Sequence, residues 1–370
     1  MKIAYIFNHA SIVGGGEISF IDLILSAGSL GIEPVVFVPG KGDVAARLRS
    51  AGMEVHEIAQ PRINWKIIAG SSKPVRDLTA AFRKHDIAIV HTNGARCMLY
   101  AGMAARKAGV PCIWHVRVLE RDFLLDRYRA FLATRIIANS KAVAARLKHY
   151  TMSPSKITVV YNGIDIGRYR EIRAADISQD FGLPEAPVVL AAGRLSPEKG
   201  YECLIRACAV LNQKKRRFVC LIAGQVPDGR KSYQESLAAL AQELDVKNIS
   251  FAGWRNDIPS LMKASVMVVL PSLRESFGRI VIEAWASGVP IVAASGGGPG
   301  EIITHGRDGL LSRPNDPESL AGEMEKMLAD PGLRARLAAG GAKSVMGFTL
   351  EQHAESVLAM YQSLISLEAG

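Results

Sequence analysis

The most constraining stretch runs from Ser265 to Pro290. Ser265-Val266-Met267-Val268-Val269-Leu270 is a short apolar run that reads as a buried strand, and Pro271-Ser272 breaks it. From Gly278 to Ala286 the residues are again almost continuously apolar, and Ser287-Gly288-Val289-Pro290 is a helix stop. A strand and a helix that are both apolar on nearly every face need cover on all sides, which points to the interior of a layered α/β sheet. The expected order is strand, loop, buried helix, with Ser276 near the N-cap and Glu275 just outside it.

The same stretch carries chemistry. Amide groups at a helix start form an anion site, and Phe277-Gly278 lets a phosphate approach closely. Glu283 stands among Ile280, Val281, Ile282, Ala284 and Trp285, where an unpaired carboxylate is costly. It therefore needs a partner: a structural arginine, or the hydroxyl groups of a ligand. If the stretch is mostly helical, eight steps of about 1.5 Å put Glu275 and Glu283 roughly 12 Å apart. That is too far for the carboxylate pair of a glycosidase, about 5–9.5 Å apart. It suits one carboxylate at each end of a ligand with a diphosphate in the middle.

This Glu-x7-Glu after a Pro-Ser loop resembles the signature of retaining glycosyltransferase family 4, the group 1 glycosyl transferases of the GT-B fold. The resemblance extends along the chain. Val188–Ala192 reads as a strand, and Gly193-Arg194-Leu195-Ser196-Pro197-Glu198-Lys199-Gly200 follows as a Gly-bounded loop opening a helix. Cations there suit a diphosphate that gains charge as a sugar leaves, and the family uses an Arg and a Lys at these places in that role. The competing reading is a surface charge pair. The loop is not a Walker sequence, which disfavours phosphoryl transfer.

In the first half, residues 2–7 read as a first strand. Ser11-Ile12-Val13-Gly14-Gly15-Gly16-Glu17 is a turn into a helix over Ile18–Leu30. A dinucleotide fingerprint fails here, because Ser19 takes the third glycine position and the next strand, Pro34–Val38, ends in Pro39-Gly40 without a carboxylate. The resemblance instead implies that Gly15 and Gly16 border the donor phosphates. Strands over Ile87–Val90 and Pro111–Val116 end in polar residues, His91-Thr92-Asn93 and His115 with Arg117, at the edge where open α/β sheets bind ligands. His115 falls where the family places a histidine facing the sugar. Asn162-Gly163-Ile164-Asp165 resembles the turn that closes the family's first domain.

Farther on, Gly224-Gln225-Val226-Pro227 only partly matches the family's Gly-x-Gly-Pro turn. Trp254 and Arg255 fall in the segment that borders the nucleotide base. The implied site is Glu275, His115, Arg194 and Lys199 for catalysis, with Gly15, Gly16, Gly224, Trp254, Arg255, Ser276, Phe277, Gly278 and Glu283 completing the donor site. Glu275 is expected to orient sugar hydroxyls and Glu283 the ribose. No Asp-x-Asp motif occurs, so neither a cofactor nor a metal is expected.

The implied fold is α/β: two doubly wound Rossmann-like domains facing a cleft. Residues 1–168 would bind the acceptor and 169–349 the nucleotide-sugar. A helix over about 350–370 would cross back to the first domain. At 370 residues the chain is long for a single core. Residues 1–170 carry 24 Lys and Arg against 12 Asp and Glu, whereas the rest is near balance at 21 against 23. The basic half points to a glycan or lipid-linked acceptor bearing negative charge, and to bacterial envelope polysaccharide or lipopolysaccharide synthesis. Two stretches mix cations with apolar side chains in a way that suits peripheral contact with an anionic membrane. They are residues 61–84 (Arg62, Trp65, Lys66, Ile67, Ile68, Lys73, Arg76, Arg83, Lys84) and residues 121–135 (Phe123, Leu124, Leu125, Tyr128, Phe131, Leu132 with Arg121, Arg127, Arg129, Arg135). No apolar run reaches a signal core or a membrane span, and five cysteines without metal spacing suit free core thiols, so a cytoplasmic protein is expected. A nucleic-acid partner rests on charge alone, with 6% aromatics and no recognition motif. A GT-B sugar-nucleotide epimerase and a non-catalytic nucleotide-binding scaffold are the alternatives.

Overall fold

The computed structural model describes residues 1–61, 72–226 and 231–368. The chain divides into two compact units, Met1–Gly163 with Leu350–Gly370, and Ile164–Thr349. The dividing point lies at Gly163, a few residues before the expected 168, and it coincides with the Asn162-Gly163 turn.

The first unit holds β1 (Lys2–Phe7), β2 (Glu33–Val38), β3 (Glu54–Glu57), β4 (Ile89–Asn93), β5 (Cys112–Val116), β6 (Arg135–Ala138) and β7 (Ile157–Val159). They form one parallel sheet in the order β3-β2-β1-β4-β5-β6-β7. Strand alternation explains why both faces are covered. In β1, Ile3, Tyr5 and Phe7 enter one core, while Ala4 and Ile6 enter the other. The face bearing Tyr5 is closed by Phe20, Ile21 and Ile24 from the helix Gly15–Ser26. Ala354, Val357, Tyr361 and Leu364 from the C-terminal helix Leu350–Glu368 complete it.

The second unit holds β8 (Val188–Ala192), β9 (Val219–Ala223), β10 (Ile249–Gly253), β11 (Met267–Leu270), β12 (Ile291–Ala294) and β13 (Leu310–Ser312). They are parallel in the order β10-β9-β8-β11-β12-β13. Both sheets therefore reverse their winding once, between β1 and β4 and between β8 and β11. In doubly wound sheets, loops leaving the carboxyl ends of strands at such a reversal form the ligand crevice.

Expected boundaries shift in both units, and the first helix is Gly15–Ser26 rather than Ile18–Leu30. The buried helix spans Arg279–Ala286, and its N-cap is Gly278 in a left-handed conformation (φ 84°), not Ser276. The helix start is therefore built by a glycine with no side-chain cap, and Ser276 belongs to the preceding loop. Before β8 the second unit opens with two short helices, Ile166–Arg170 and Ile177–Phe181, each capped by an aspartate, Asp165 and Asp176. All five cysteines are buried free thiols.

Candidate functional site

In the second unit the reversal joins the loop after β8 to the loop after β11. The Leu273 amide donates to the Glu198 carbonyl (3.0 Å). Gly200 sits at φ 69°, and a β-carbon there would meet the Pro271 carbonyl oxygen at 2.1 Å, so only glycine permits this approach. The consequence is chemical. Lys199 Nζ donates to Glu275 Oε2 at 2.5 Å, and Ser272 Oγ donates to the same oxygen at 3.1 Å. Both partners of the ion pair are largely buried, with side chains 19% and 13% exposed.

The Glu275 backbone is clamped from the other side. Its amide donates to the Gly296 carbonyl (3.1 Å), and its carbonyl accepts from the Gly298 amide (2.9 Å). A β-carbon at Gly298 would fall 2.4 Å from the Phe277 backbone. The glycine run Gly296–Gly298 thus fixes the segment Glu275–Gly278.

The remaining expected residues divide. Arg194 is exposed and lies 3.8 Å from Glu198, the surface pair weighed against a site role. Glu283 takes the arginine partner: Arg279 Nε donates to its Oε1 at 2.8 Å, across one turn of the helix. Arg279 is itself buried, and the Tyr169 hydroxyl lies within its reach; burial, then Glu283, pushes the Tyr169 pKa up. Arg279 was missed by the sequence reading, although its i,i+4 spacing to Glu283 is the signal that finds it. Gly224 carries the turn after β9, with its amide bonded to the Gly253 carbonyl at 2.8 Å. Trp254 is half exposed, and its Nε1 donates to Asn256 Oδ1. Arg255 forks onto Asp257 at 2.8 and 2.5 Å and covers the Phe181 ring. Its guanidinium is thus already paired. Pro227 lies outside the described residues.

In the first unit the strand ends gather a second polar group. Arg117 Nε donates to Asn93 Oδ1 at 2.8 Å, Nη1 donates to Asn162 Oδ1, and Nη2 lies 3.3 Å from His115 Nδ1. Asn93 Nδ2 donates to the Gly16 carbonyl (3.4 Å), and a β-carbon on Gly16 would touch the Arg117 stem at 3.4 Å. The Gly15-Gly16 turn is therefore held against Arg117 by Asn93, one of the polar strand-end residues of the sequence pattern. His115, expected to face the sugar, lies at the penultimate position of β5. Its ring is fully buried, stacked against His91 with ring centroids 5.3 Å apart. Burial, then the Arg117 charge, holds both imidazoles well below their usual pKa, so both are neutral.

Of the two apolar-basic stretches, residues 62–71 lie outside the described residues. In the other, Phe123, Leu124, Arg121, Arg127 and Phe131 are exposed, but Arg129 is not a surface cation. It is buried on Asp126 at 2.7 Å, and Asp126 also accepts from buried Arg146 at 2.7 Å. Among the described residues one group has metal-ligand character, Glu54, His56 and His85. It lies at the β3 edge of the sheet, where His56 Nε2 already shares a hydrogen bond with Glu54 (3.0 Å). No described helix is long and apolar enough to cross a membrane.

Two doubly wound, Rossmann-like parallel-sheet units of seven and six strands in one chain are the architecture of the GT-B class of protein. The comparisons agree. The family profile "Glycosyl transferases group 1" matches residues 174–344, and "Glycosyltransferase Family 4" matches residues 13–168. The chain belongs to the group 1 glycosyltransferases of family 4. Among curated relatives, the D-inositol 3-phosphate glycosyltransferase of Nocardioides is 33% identical over 245 residues, covering 62% of this chain and 54% of that protein. Its counterpart from Thermobifida fusca is 31% identical over 246 residues, covering 63% and 56%. The chain thus spans about half the length of these relatives. Among solved structures, Anabaena HepE in complex with UDP-glucose is 25% identical with a TM-score of 0.87, covering 98% of this chain and all of that one.

Proposed function

We propose that the protein transfers a glycosyl unit, with retention, from a nucleotide-sugar to an acceptor hydroxyl. The observation that carries this is the 2.5 Å contact of Lys199 with Glu275 across the winding reversal of the second sheet. It sets a cation for a departing diphosphate beside a carboxylate for sugar hydroxyls. The Glu275 contacts named above both fall on Oε2, so Oε1 is the oxygen assigned to the sugar. Arg194, exposed at the mouth of the same loop, turns from Glu198 to the diphosphate when donor binds. Charge development on the leaving group then meets cations already in place. Glu283, oriented by Arg279, takes the ribose hydroxyls. These roles assign leaving-group stabilisation to side chains, so activity is expected to survive EDTA.

HepE was solved with UDP and with UDP-glucose, which makes UDP-glucose the first donor to test. The excess of cations in residues 1–170 and the inositol 3-phosphate in the names of the curated relatives support an acceptor bearing phosphate or other negative charge. A phosphorylated or lipid-linked glycan of the bacterial envelope fits. Exposed Phe123 (72%), Leu124 (84%) and Phe131 (58%), with Arg121 and Arg127 on the same helix and its approach, support peripheral contact with an anionic bilayer.

The test is a thermal-shift screen of UDP, GDP, ADP, CMP and their sugars, followed by UDP release with and without acceptor. One nucleotide should raise the melting temperature by mass action on the folded state. Release that requires an acceptor supports transfer. An isomerised sugar formed without acceptor identifies an epimerase, and binding without turnover identifies a scaffold.

A further inference from the structure

The buried polar row of the first unit assigns a direction to every hydrogen bond in it. Tyr5, His91 and His115 stand on one face of adjacent strands β1, β4 and β5. Tyr5 pairs with His91 in register, and Asn93, two residues on, pairs with His115. The C-terminal helix lays Tyr361 over this row. Its hydroxyl lies 2.5 Å from His91 Nδ1, and His91 Nε2 lies 3.1 Å from His115 Nδ1.

The direction follows from one group that only donates. Arg117 has no acceptor atom, so with its Nη2 at 3.3 Å from His115 Nδ1 that nitrogen must carry a lone pair. Neutral His115 then holds its proton on Nε2. His91 Nε2 faces the same lone pair and must donate, which leaves His91 Nδ1 as an acceptor. The Tyr361 hydroxyl faces that acceptor at 2.5 Å and gives it its one proton in preference to the Tyr5 oxygen at 3.3 Å, so Tyr5 in turn donates to Tyr361. His115 Nε2–H ends the chain, buried and without a partner among the described residues. An unpaired buried N–H is costly, so the geometry calls for an acceptor there.

We infer that Tyr361, His91 and Arg117 lock His115 as a one-way hydrogen-bond donor through Nε2. The locked group takes an oxygen acceptor of a ligand and cannot serve as a base for the acceptor's proton. Tyr361 and His91 are positioning residues in this scheme, and through Tyr361 the C-terminal helix sets the chemistry of a strand-end group. The link to catalysis rests on the glycosyltransferase assignment above; the tautomer does not.

The experiment is long-range 1H–15N correlation on the full chain labelled at histidine, with signals assigned from His91→Gln and His115→Gln. At pH 7 the wild type should show His115 and His91 both neutral and protonated on Nε2. In His91→Leu with Arg117→Met, both donors to His115 Nδ1 are gone, and the His115 signals should move toward the Nδ1–H tautomer. In the Arg117→Met background, His91→Gln keeps an amide donor near the lost Nε2–H and should restore the wild-type tautomer, and this is the His91→Gln comparison on which the tautomer test rests. With UDP-sugar as donor, His91→Leu should lower kcat about 5- to 10-fold with little change in donor KM, and His91→Gln should recover most of it. Circular dichroism and melting temperature confirm that each variant folds. A His115 protonated on Nδ1 or on both nitrogens in the wild type overturns the inference, as does failure of a folded His91→Gln to restore the tautomer. The expected tautomers without any UDP release would leave the lock standing and overturn the functional assignment instead.

Discussion

Lys199 and Glu275 form the pair on which the proposed donor site turns, and their contribution can be worked out before it is measured. Lys199→Met keeps the stem and removes the charge. It leaves Glu275 Oε2 with Ser272 as its donor, at 3.1 Å and only 13% side-chain exposure. A carboxylate stripped of its cation at this depth should cost about 1–3 kcal/mol, below the value for a fully buried pair. For a unit of this size that corresponds to about 2–4 °C in melting temperature per kcal/mol. The effect on transfer should be larger than the effect on stability. Removing one preorganised group aimed at developing charge typically lowers kcat about 10²- to 10³-fold. Glu275→Gln should cost a similar factor, because the amide neither pairs with Lys199 nor accepts sugar hydroxyls equally well. The decisive assay is a double-mutant cycle on UDP release, run well below the lowest melting temperature. If the two residues act as a unit, the double variant should be far less than additive, with a coupling of about 1–3 kcal/mol. Strict additivity, or a Lys199→Met enzyme with wild-type kcat, would show that the 2.5 Å contact is only structural.

Four further outcomes follow from the geometry. Asp126→Asn removes the charge shared by buried Arg129 and Arg146 and should cost about 3–5 kcal/mol by urea denaturation; a loss under 1 kcal/mol would contradict the buried network. Gly341→Ala places a β-carbon 2.3 Å from the Trp285 ring, which is fixed by its Nε1 bond to the Asp308 carbonyl at 2.7 Å, and should lower stability by about 1–3 kcal/mol. His91 and His115, facing Arg117, His353, Tyr5 and Tyr361, have folded pKa values below the unfolded value. Their contribution is therefore complete above about pH 6.5, and as pH falls below it each costs about 1.4 kcal/mol per unit; equal denaturation midpoints at pH 7 and pH 5.5 would refute this. Leu124→Ser with Phe131→Ser should reduce co-sedimentation with anionic vesicles and leave UDP release in detergent-free solution intact.

The sequence carried the architecture because most strands, such as β1, β8, β11 and β12, are short apolar runs in an α/β alternation; β3, Glu-Val-His-Glu, is an exception. It also carried Lys199 and Glu275, though not the reason they meet. That reason lies in Gly200 and Gly298, whose missing side chains let two loops touch backbone to backbone, and glycine spacing alone does not say which loops approach. The N-cap was misplaced because Ser276 has the usual capping chemistry, whereas the structure closes the helix with a left-handed Gly278. Arg129 looked like a surface cation for a different reason. Its partners Asp126 and Arg146 are brought together only by packing, and composition treats every arginine alike.

His115 shows the same limit from the other direction. The strand pattern of β5 puts it on the face with Ile113, and β4 puts His91 on that face too, so their proximity was legible from alternation and register. Neither pattern reveals that the lid over them is the C-terminal helix, because Tyr361 is 270 residues from His91 in the chain. A crossing helix supplies cover for apolar side chains in any doubly wound unit. Here Tyr361 also supplies a hydroxyl, and with it a direction to the hydrogen bonds beneath. Tyr361→Phe tests that distinction directly, since it keeps the ring and deletes only the proton donor. If the helix merely covers the sheet, the variant should retain its kcat; if it orients His91, kcat should fall about 5- to 10-fold while the melting temperature changes by only a few degrees.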